Sequence, residues 1–222
     1  MDEAKLQAFI RANLPILPVP GVPEIRLHKA VPTSGLNRLA REDPDGFGSP
    51  YWAYHWAGGL ALARHILDHP ETVMGKSVVD LGAGGGLVAI AAAKAGAATV
   101  TAAEIDPYAR PALSLNAAVN RVEIGIFAGD MIAGEAPEAD VMLVGDLFYA
   151  PDLANGVAAF LDRCAAAGMT ILIGDPWRVP LPSARLREIA RYRVAETSLA
   201  GQESGVFAWS ADSDGSSRQS LL

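Results

Sequence analysis

The stretch that most constrains this chain is Ser77-Val-Val-Asp80-Leu-Gly82-Ala-Gly84-Gly85-Gly86-Leu87, continuing into Val-Ala-Ile-Ala-Ala-Ala. Val78 and Val79 open a short apolar run that predicts a buried strand, and Asp80 sets a carboxylate at its C-terminal end. The glycines allow a tight turn with exposed backbone N–H groups, and Leu87 begins a helix of small residues predicted over 87–95. A strand, glycine loop and helix in this order hold a polar ligand, because the helix N-terminus offers free amides and partial positive charge. Two familiar glycine loops fit poorly. The dinucleotide fingerprint G-x-G-x-x-G/A needs Gly or Ala at the place of Leu87, which disfavours a dinucleotide oxidoreductase. A phosphate loop needs a glycine where Pro70 stands, five residues before Gly75-Lys76-Ser77. Asp80 instead suits a ligand with an ammonium group and no phosphate.

This pattern resembles motif I of class I S-adenosylmethionine (SAM) methyltransferases, and the following segments extend it. Ala98-Thr-Val-Thr-Ala-Ala-Glu104-Ile105-Asp106-Pro107 predicts a second strand ending in an acid, eighteen residues beyond Gly86. Ligands of open α/β sheets sit beyond the carboxyl ends of strands, where an acid reads a ribose diol. Asp106-Pro107 also reads as the N-cap and first position of a helix over 107–119, on which Asn116 and Asn120 are structural. Val122–Phe127 is a third strand closed by Gly129-Asp130-Met131. Here Asp130 either takes an adenine amine while Met131 packs on the ring, or is a loop acid in solvent. Three acids at successive strand ends, Asp80, Glu104 and Asp130, make the ligand reading the stronger.

Asp140–Gly145 predicts a fourth strand, entering a loop with Asp146, Phe148, Tyr149 and Pro151, then a helix to Ala166 closed by Gly168. Met169–Gly174 is a fifth strand leading into Asp175-Pro-Trp-Arg178. Residues 183–191 read as a short helix, and Arg191–Ser198 and Gly205–Ser210 as a hairpin-like pair. Upstream, residues 2–12 form an amphipathic helix with Leu6, Phe9 and Ile10 on one face. Leu14–Pro20 is extended and proline-interrupted, 24–40 hold one strand and a helix start, and Arg41–Pro50 is a loop. Tyr51-Trp52-Ala-Tyr-His55-Trp56-Ala-Gly58-Gly59 then runs into Ala61–Asp68, placing Trp52 and Trp56 on one helix face. Either ring packs in a core or covers a cofactor. Gly58-Gly59 favours the second role for Trp56, by permitting close backbone approach. His55 and His65 lack metal-ligand spacing, and no metal is expected.

The order of elements predicts an α/β fold: a Rossmann-like seven-stranded, mainly parallel sheet with an antiparallel edge and helices on both faces. Residues 1–49 are expected to be an N-terminal extension packing on the core, 50–211 the catalytic domain and 212–222 a disordered tail. A net charge of −7 without a basic run disfavours nucleic acid, and no apolar run reaches membrane-spanning length. Cys164 is the single cysteine, which excludes an internal disulfide and fits a reducing compartment. The first residues lack a signal peptide's apolar core, so the expected location is cytoplasmic (bacterial), or the mitochondrial matrix if eukaryotic. A monomer is the default.

A closer resemblance lies in Pro50-Tyr-Trp-Ala-Tyr-His-Trp-Ala-Gly-Gly, Asp80-Leu-Gly-Ala-Gly, Glu104-Ile-Asp-Pro, Gly145-Asp-Leu-Phe-Tyr and Ile173-Gly-Asp-Pro. Together these resemble the electron transfer flavoprotein β-subunit lysine methyltransferases, seven-strand enzymes marked by an acid-x-x-aromatic motif after the fourth strand. The match spans roughly residues 50–178. Ala57 replaces an expected proline, and Glu104 an acid that is commonly Asp. The resemblance implies SAM as cofactor, held by Trp56, Asp80, Gly82, Gly84, Gly86, Glu104, Ile105, Asp130, Met131 and Asp146. It also implies trimethylation of lysines on the flavoprotein β subunit, the expected protein partner.

Asp146 is the expected catalytic carboxylate, orienting the substrate amine and serving as its proton acceptor. Tyr149 would wall the lysine channel. The structural alternatives are a strand-end N-cap for Asp146 and core burial for Tyr149. Leu147 and Phe148, not prolines, disfavour planar amide or adenine substrates. Two further readings share every SAM residue: a small-molecule N-methyltransferase of a pyridine such as nicotinamide, and a non-catalytic SAM-binding module.

Overall fold

The computed structural model describes residues 2–195 and 201–210, so the tail expected at 212–222 lies outside the described residues. Asp2 caps α1 (Glu3–Asn13) by accepting the Lys5 amide at 2.8 Å, and Leu6 and Ile10, a turn apart, are buried. The proline-rich segment that follows is a hairpin of β1 (Ile16–Val19) and β2 (Val22–His28), not merely extended chain. Both strands are edges of a two-stranded sheet, positions that tolerate Pro18 and Pro23. Helix α2 (Asn37–Glu42) precedes the loop to Pro50.

The helix predicted from Tyr51 onward is divided. Tyr51–Ala53 form one 3-10 turn, Trp56 is extended, and α3 (Ala57–Asp68) starts after it. Trp52 and Trp56 therefore do not share a helix face: Trp52 is 3% exposed and Trp56 37%. The reason is backbone packing. A Cβ at Gly58 would run into the carbonyl oxygen of Gly174, so the glycine pair fixes where the first turn of α3 touches the sheet.

The main sheet contains β3 (Ser77–Leu81), β4 (Thr99–Glu104), β5 (Gly125–Ala128), β6 (Val141–Gly145), β7 (Thr170–Asp175), β8 (Leu186–Val194) and β9 (Gln202–Trp209). Their order is β5-β4-β3-β6-β7-β9-β8. The first five are parallel, and β9 runs antiparallel to both β7 and β8. Helices α4 (Leu87–Lys94), α5 (Ala109–Asn120) and α6 (Pro151–Ala166) connect the parallel strands. Pro151 opens α6 at its first position, and Gly168, with φ 90°, closes it while Met169 N–H reaches the Cys164 carbonyl.

Residues 183–191 are not a helix. Only Ser183–Arg185 make a 3-10 turn before β8 begins. The helix-like run Leu186-Arg-Glu-Ile-Ala-Arg is drawn into the sheet by pairing with β9. A register shift between Glu188 and Ala190 breaks the alternation that would have marked it as a strand.

Side chains alternate across the sheet and bury both faces. Val78, Val100, Leu143, Leu172 and Val206 pack with α3 and α4, while Val79, Met142, Ile171 and Phe207 pack with α6. A third cluster joins Leu6 and Ile10 of α1 to Trp52, Tyr108 and Ala112. No helix among the described residues is long and apolar enough to cross a membrane.

Candidate active site

Strand order reverses at β3, which has β4 on one side and β6 on the other. Such switch points leave a crevice at the carboxyl ends of the strands. A cavity of about 800 Å³ lies there, lined by the ends of β3, β4 and β6 and by the Tyr51–Trp56 segment. Its size falls within the roughly 300–1,000 Å³ of small-molecule sites.

The glycine loop forms its floor. Gly82, Gly84 and Gly86 have φ of 67°, 54° and 87°, a region that side chains disfavour. Glu104 holds the loop from the next strand: its Oε2 accepts the Gly84 amide at 2.6 Å and its Oε1 the Asp106 amide at 2.8 Å. Burial raises the Glu104 pKa, and these amides oppose the rise. Asn116 on α5 donates to the Gly85 carbonyl at 2.8 Å and accepts the His28 amide from β2 at 2.7 Å. The N-terminal hairpin is thus tied through one side chain to the glycine loop. Trp52 also presses on the loop, since a Cβ at Gly85 would lie 2.6 Å from the Trp52 carbonyl oxygen.

Most residues expected from the sequence line this cavity: Trp56, Asp80, Gly82, Gly84, Glu104, Ile105, Asp130, Met131, Asp146 and Tyr149. Gly86 does not. It is the N-cap of α4, facing Leu113, so its part is to turn the chain rather than to line the site. Asp80 is wholly buried, with Oδ2 accepting the Ala89 amide at 2.9 Å. Desolvation pushes its pKa up to about 8, further aided by the Glu104 charge. Asp130 accepts the Ile132 amide at 3.0 Å in a turn, beside the buried Met131. Ile105, 64% exposed, is an apolar rim residue. Asp106 is not the N-cap expected of it, since α5 starts at Ala109 with Tyr108 at the N-cap; it instead accepts the Tyr108 amide at 2.8 Å and holds the turn that enters the helix.

The mouth is aromatic. Tyr54, Trp56, Tyr51 and Tyr149 form a chain of neighbouring rings with centroid separations of 6.3, 5.7 and 5.9 Å. Trp56 is held by its Nε1 donating to the Tyr51 carbonyl at 3.1 Å. Tyr149 is half exposed, so core burial does not describe it.

Asp146 is more engaged than a free carboxylate at the lip. Its own φ is 59°, a strained value for a non-glycine residue. Oδ1 accepts the Gly58 amide at 3.0 Å and Arg178 Nη1 at 2.5 Å; Oδ2 accepts the Gly59 amide at 2.5 Å. It therefore caps α3 across space, at the positive end of that helix. Arg178 reaches onward to Asp175 Oδ2 at 3.0 Å, and Asp175 is fully buried. Breaking a buried pair of this kind costs about 3–5 kcal/mol.

The sequence reading assigned no individual role to Tyr51 or Tyr54, placed Arg178 only within a loop, Trp177–Pro182, expected to dock substrate, and left Trp52 between core packing and covering a cofactor. The spacing Asp175-x-x-Arg178 hints at a local ion pair, but Asp146 joins it only through the fold. Trp52 lines the cavity, and its buried Nε1 has no hydrogen-bond partner among the described residues. Such an orphan donor, with buried acids and the apolar Met131 and Ile105, fits a ligand carrying an amine, a carboxylate, a diol and an aromatic base. The donor set thus suits SAM. Among the described residues no cluster of potential metal ligands occurs.

Comparison with known proteins places these features in context. Residues 62–167 match the family model described as ribosomal protein L11 methyltransferase (PrmA). The chain is 37% identical over 200 residues to the human electron transfer flavoprotein β subunit lysine methyltransferase, covering 89% of this chain and 76% of that protein. The rat protein of that name is 36% identical over 200 residues, covering 89% and 78%. The Caenorhabditis elegans homolog is 33% identical over 202 residues, covering 81% and 82%. Among solved structures, a proposed RNA methyltransferase from Pyrococcus horikoshii aligns with TM-score 0.55 at 17% identity, covering 78% of this chain and 92% of that one. At that identity the likeness is one of fold.

Proposed function

The chain belongs to the electron transfer flavoprotein β-subunit lysine methyltransferase family, and from that premise we propose that its substrate is the electron transfer flavoprotein β subunit of its own cell. It is a SAM-dependent protein lysine methyltransferase. The observation that supports a protein substrate is the aromatic mouth. Tyr51 and Tyr149 stand at the cavity with 53% and 52% exposure, their rings 5.9 Å apart. A small pyridine acceptor calls for a closed pocket, whereas an open aromatic rim accepts a side chain presented on another protein's surface.

SAM, when bound, supplies an electrophilic methyl group carried on a sulfonium. The proposed holding residues are Asp80, Glu104 and Asp130 for its polar groups, Ile105, Met131 and Trp56 for its apolar faces, and the loop of Gly82 and Gly84. Gly86 contributes from behind, by shaping that loop. Lysine's ordinary pKa is about 10.4, so its nucleophilic neutral form is scarce at pH 7. In this reading Asp146 accepts an N–H of the incoming amine and aims its lone pair into the cavity. Oδ2 carries one amide hydrogen bond and has acceptor capacity left for that contact. Tyr149 walls the channel and faces the cationic form of the amine with its ring. The aromatic rim excludes water around the reacting amine. The reading carries with it a cytoplasmic monomer that needs neither nucleic acid nor membrane.

Peptide mapping by mass spectrometry of the β subunit, after incubation with enzyme and SAM, tests the substrate proposal. Methyl groups on lysine support it. An unmodified β subunit alongside a methylated pyridine would replace it with the small-molecule reading.

A further inference from the structure

We propose that Arg178 is a positioning residue for methyl transfer: it keeps Asp146 ionised and fixes that carboxylate so that it only accepts hydrogen bonds from the substrate amine. This rests on the function proposed for Asp146 above. The geometry is specific. One guanidinium nitrogen, Nη1, lies 2.5 Å from Asp146 Oδ1 and 3.0 Å from Asp175 Oδ2, so it bridges the ends of β6 and β7. The Arg178 amide also donates to Asp175 Oδ1 at 2.7 Å, anchoring the residue in its loop. Asp175 has no exposure and Asp146 little, which leaves Arg178 as the cation shared by two buried carboxylates.

The chemical need follows from the nucleophile. A protonated Asp146 would donate its O–H to the amine lone pair, the electrons required for attack. An ionised Asp146 accepts an N–H instead and leaves that pair free. Burial and the Asp146 charge raise the pKa of the nearby Asp175, and burial drives Asp146 itself toward the protonated form, above the ordinary carboxylate range. Arg178 and the amides of Gly58 and Gly59 at the start of α3 oppose it. The amides are fixed partial charges. Arg178 is the full one.

The test is an infrared titration of the whole protein, with the Asp146 carboxyl band assigned by subtracting the Asp146→Asn spectrum. That subtraction separates Asp146 from Asp80, Glu104, Asp106, Asp130 and Asp152, the other carboxylic residues that line the same cavity. Arg178→Gln should raise the pH at which the band appears by about one to three units, the size of an opposite-charge effect. Arg178→Lys should keep it near the wild-type position. With the β subunit as substrate, the acid limb of kcat should move upward by the same amount while the SAM dissociation constant stays unchanged. Arg178→Gln with Asp175→Asn removes the stranded second carboxylate and supplies a folded variant if the single change unfolds.

An unmoved band and an unmoved acid limb in whichever variant folds would overturn the proposal. Should wild-type enzyme leave the β subunit unmodified, the substrate reading fails alone, because the infrared titration needs no substrate.

Discussion

Glu104 accepts the backbone amide of Gly84 at 2.6 Å, so the acid that ends β4 ties down the glycine loop that ends β3. The same carboxylate accepts the Asp106 amide at 2.8 Å and fixes the chain entering α5. One side chain thus orders two walls of the cavity before any ligand arrives.

Glu104→Gln replaces one acceptor oxygen by a donor NH2, which faces a backbone amide unfavourably. A hydrogen bond to a charged group is worth about 1.5–3 kcal/mol, which corresponds to roughly a 10- to 100-fold weaker affinity. Calorimetric titration with SAM should show a loss of that size. Unchanged affinity would mean that the loop keeps its shape without Glu104.

Asn116 carries a different load. It accepts the His28 amide and donates to the Gly85 carbonyl, so Asn116→Ala leaves two buried backbone groups unpaired. Each costs about 1–3 kcal/mol, and the expected loss in urea unfolding is roughly 2–6 kcal/mol. A loss below about 1 kcal/mol would show that water or relaxation replaces both bonds. Weaker SAM binding should accompany the loss, since Gly85 belongs to the loop.

Asp80 sets a pH dependence. Burial holds its pKa at about 8 in the folded protein, against about 3.9 for the unfolded chain. The unfolded state therefore loses this proton first, and the contribution of Asp80 to stability declines as pH rises from about 4 to about 8. An ammonium group placed beside it would lower that pKa, so SAM binding at pH 7 should release a proton and strengthen up to about pH 8. Titrations in buffers of different ionisation enthalpy measure the release. Asp80→Asn should abolish it, and its absence in the wild type would show that no cation meets this carboxylate.

Much of this was legible in the sequence because it is local. The strand, glycine loop and helix at 77–95 and the acids at three strand ends each lie within one short segment. The cavity brings those segments together as the order of strands requires. What escaped depends on contacts between distant segments. Asp146 reads locally as a free acid before an aromatic, yet Gly58, Gly59 and Arg178 converge on it from two other segments. The tryptophans at 52 and 56 have helical spacing, but the close approach of Gly58 to Gly174 starts the helix after both. At 186–191 helix-forming residues were overruled by strand pairing at the sheet edge, through an irregular register. The hairpin at 16–28 was hidden by its prolines, which an edge pair tolerates.

The most direct measurement is a competition in one reaction: radiolabelled SAM, the flavoprotein β subunit and nicotinamide together, with wild-type enzyme and with Asp146→Asn. The account predicts label on lysines of the β subunit with the wild type, none on nicotinamide, and a loss of at least 100-fold with Asp146→Asn, about 2.7 kcal/mol of transition-state stabilisation. Label on nicotinamide with an unlabelled β subunit, or undiminished transfer by Asp146→Asn, would contradict it.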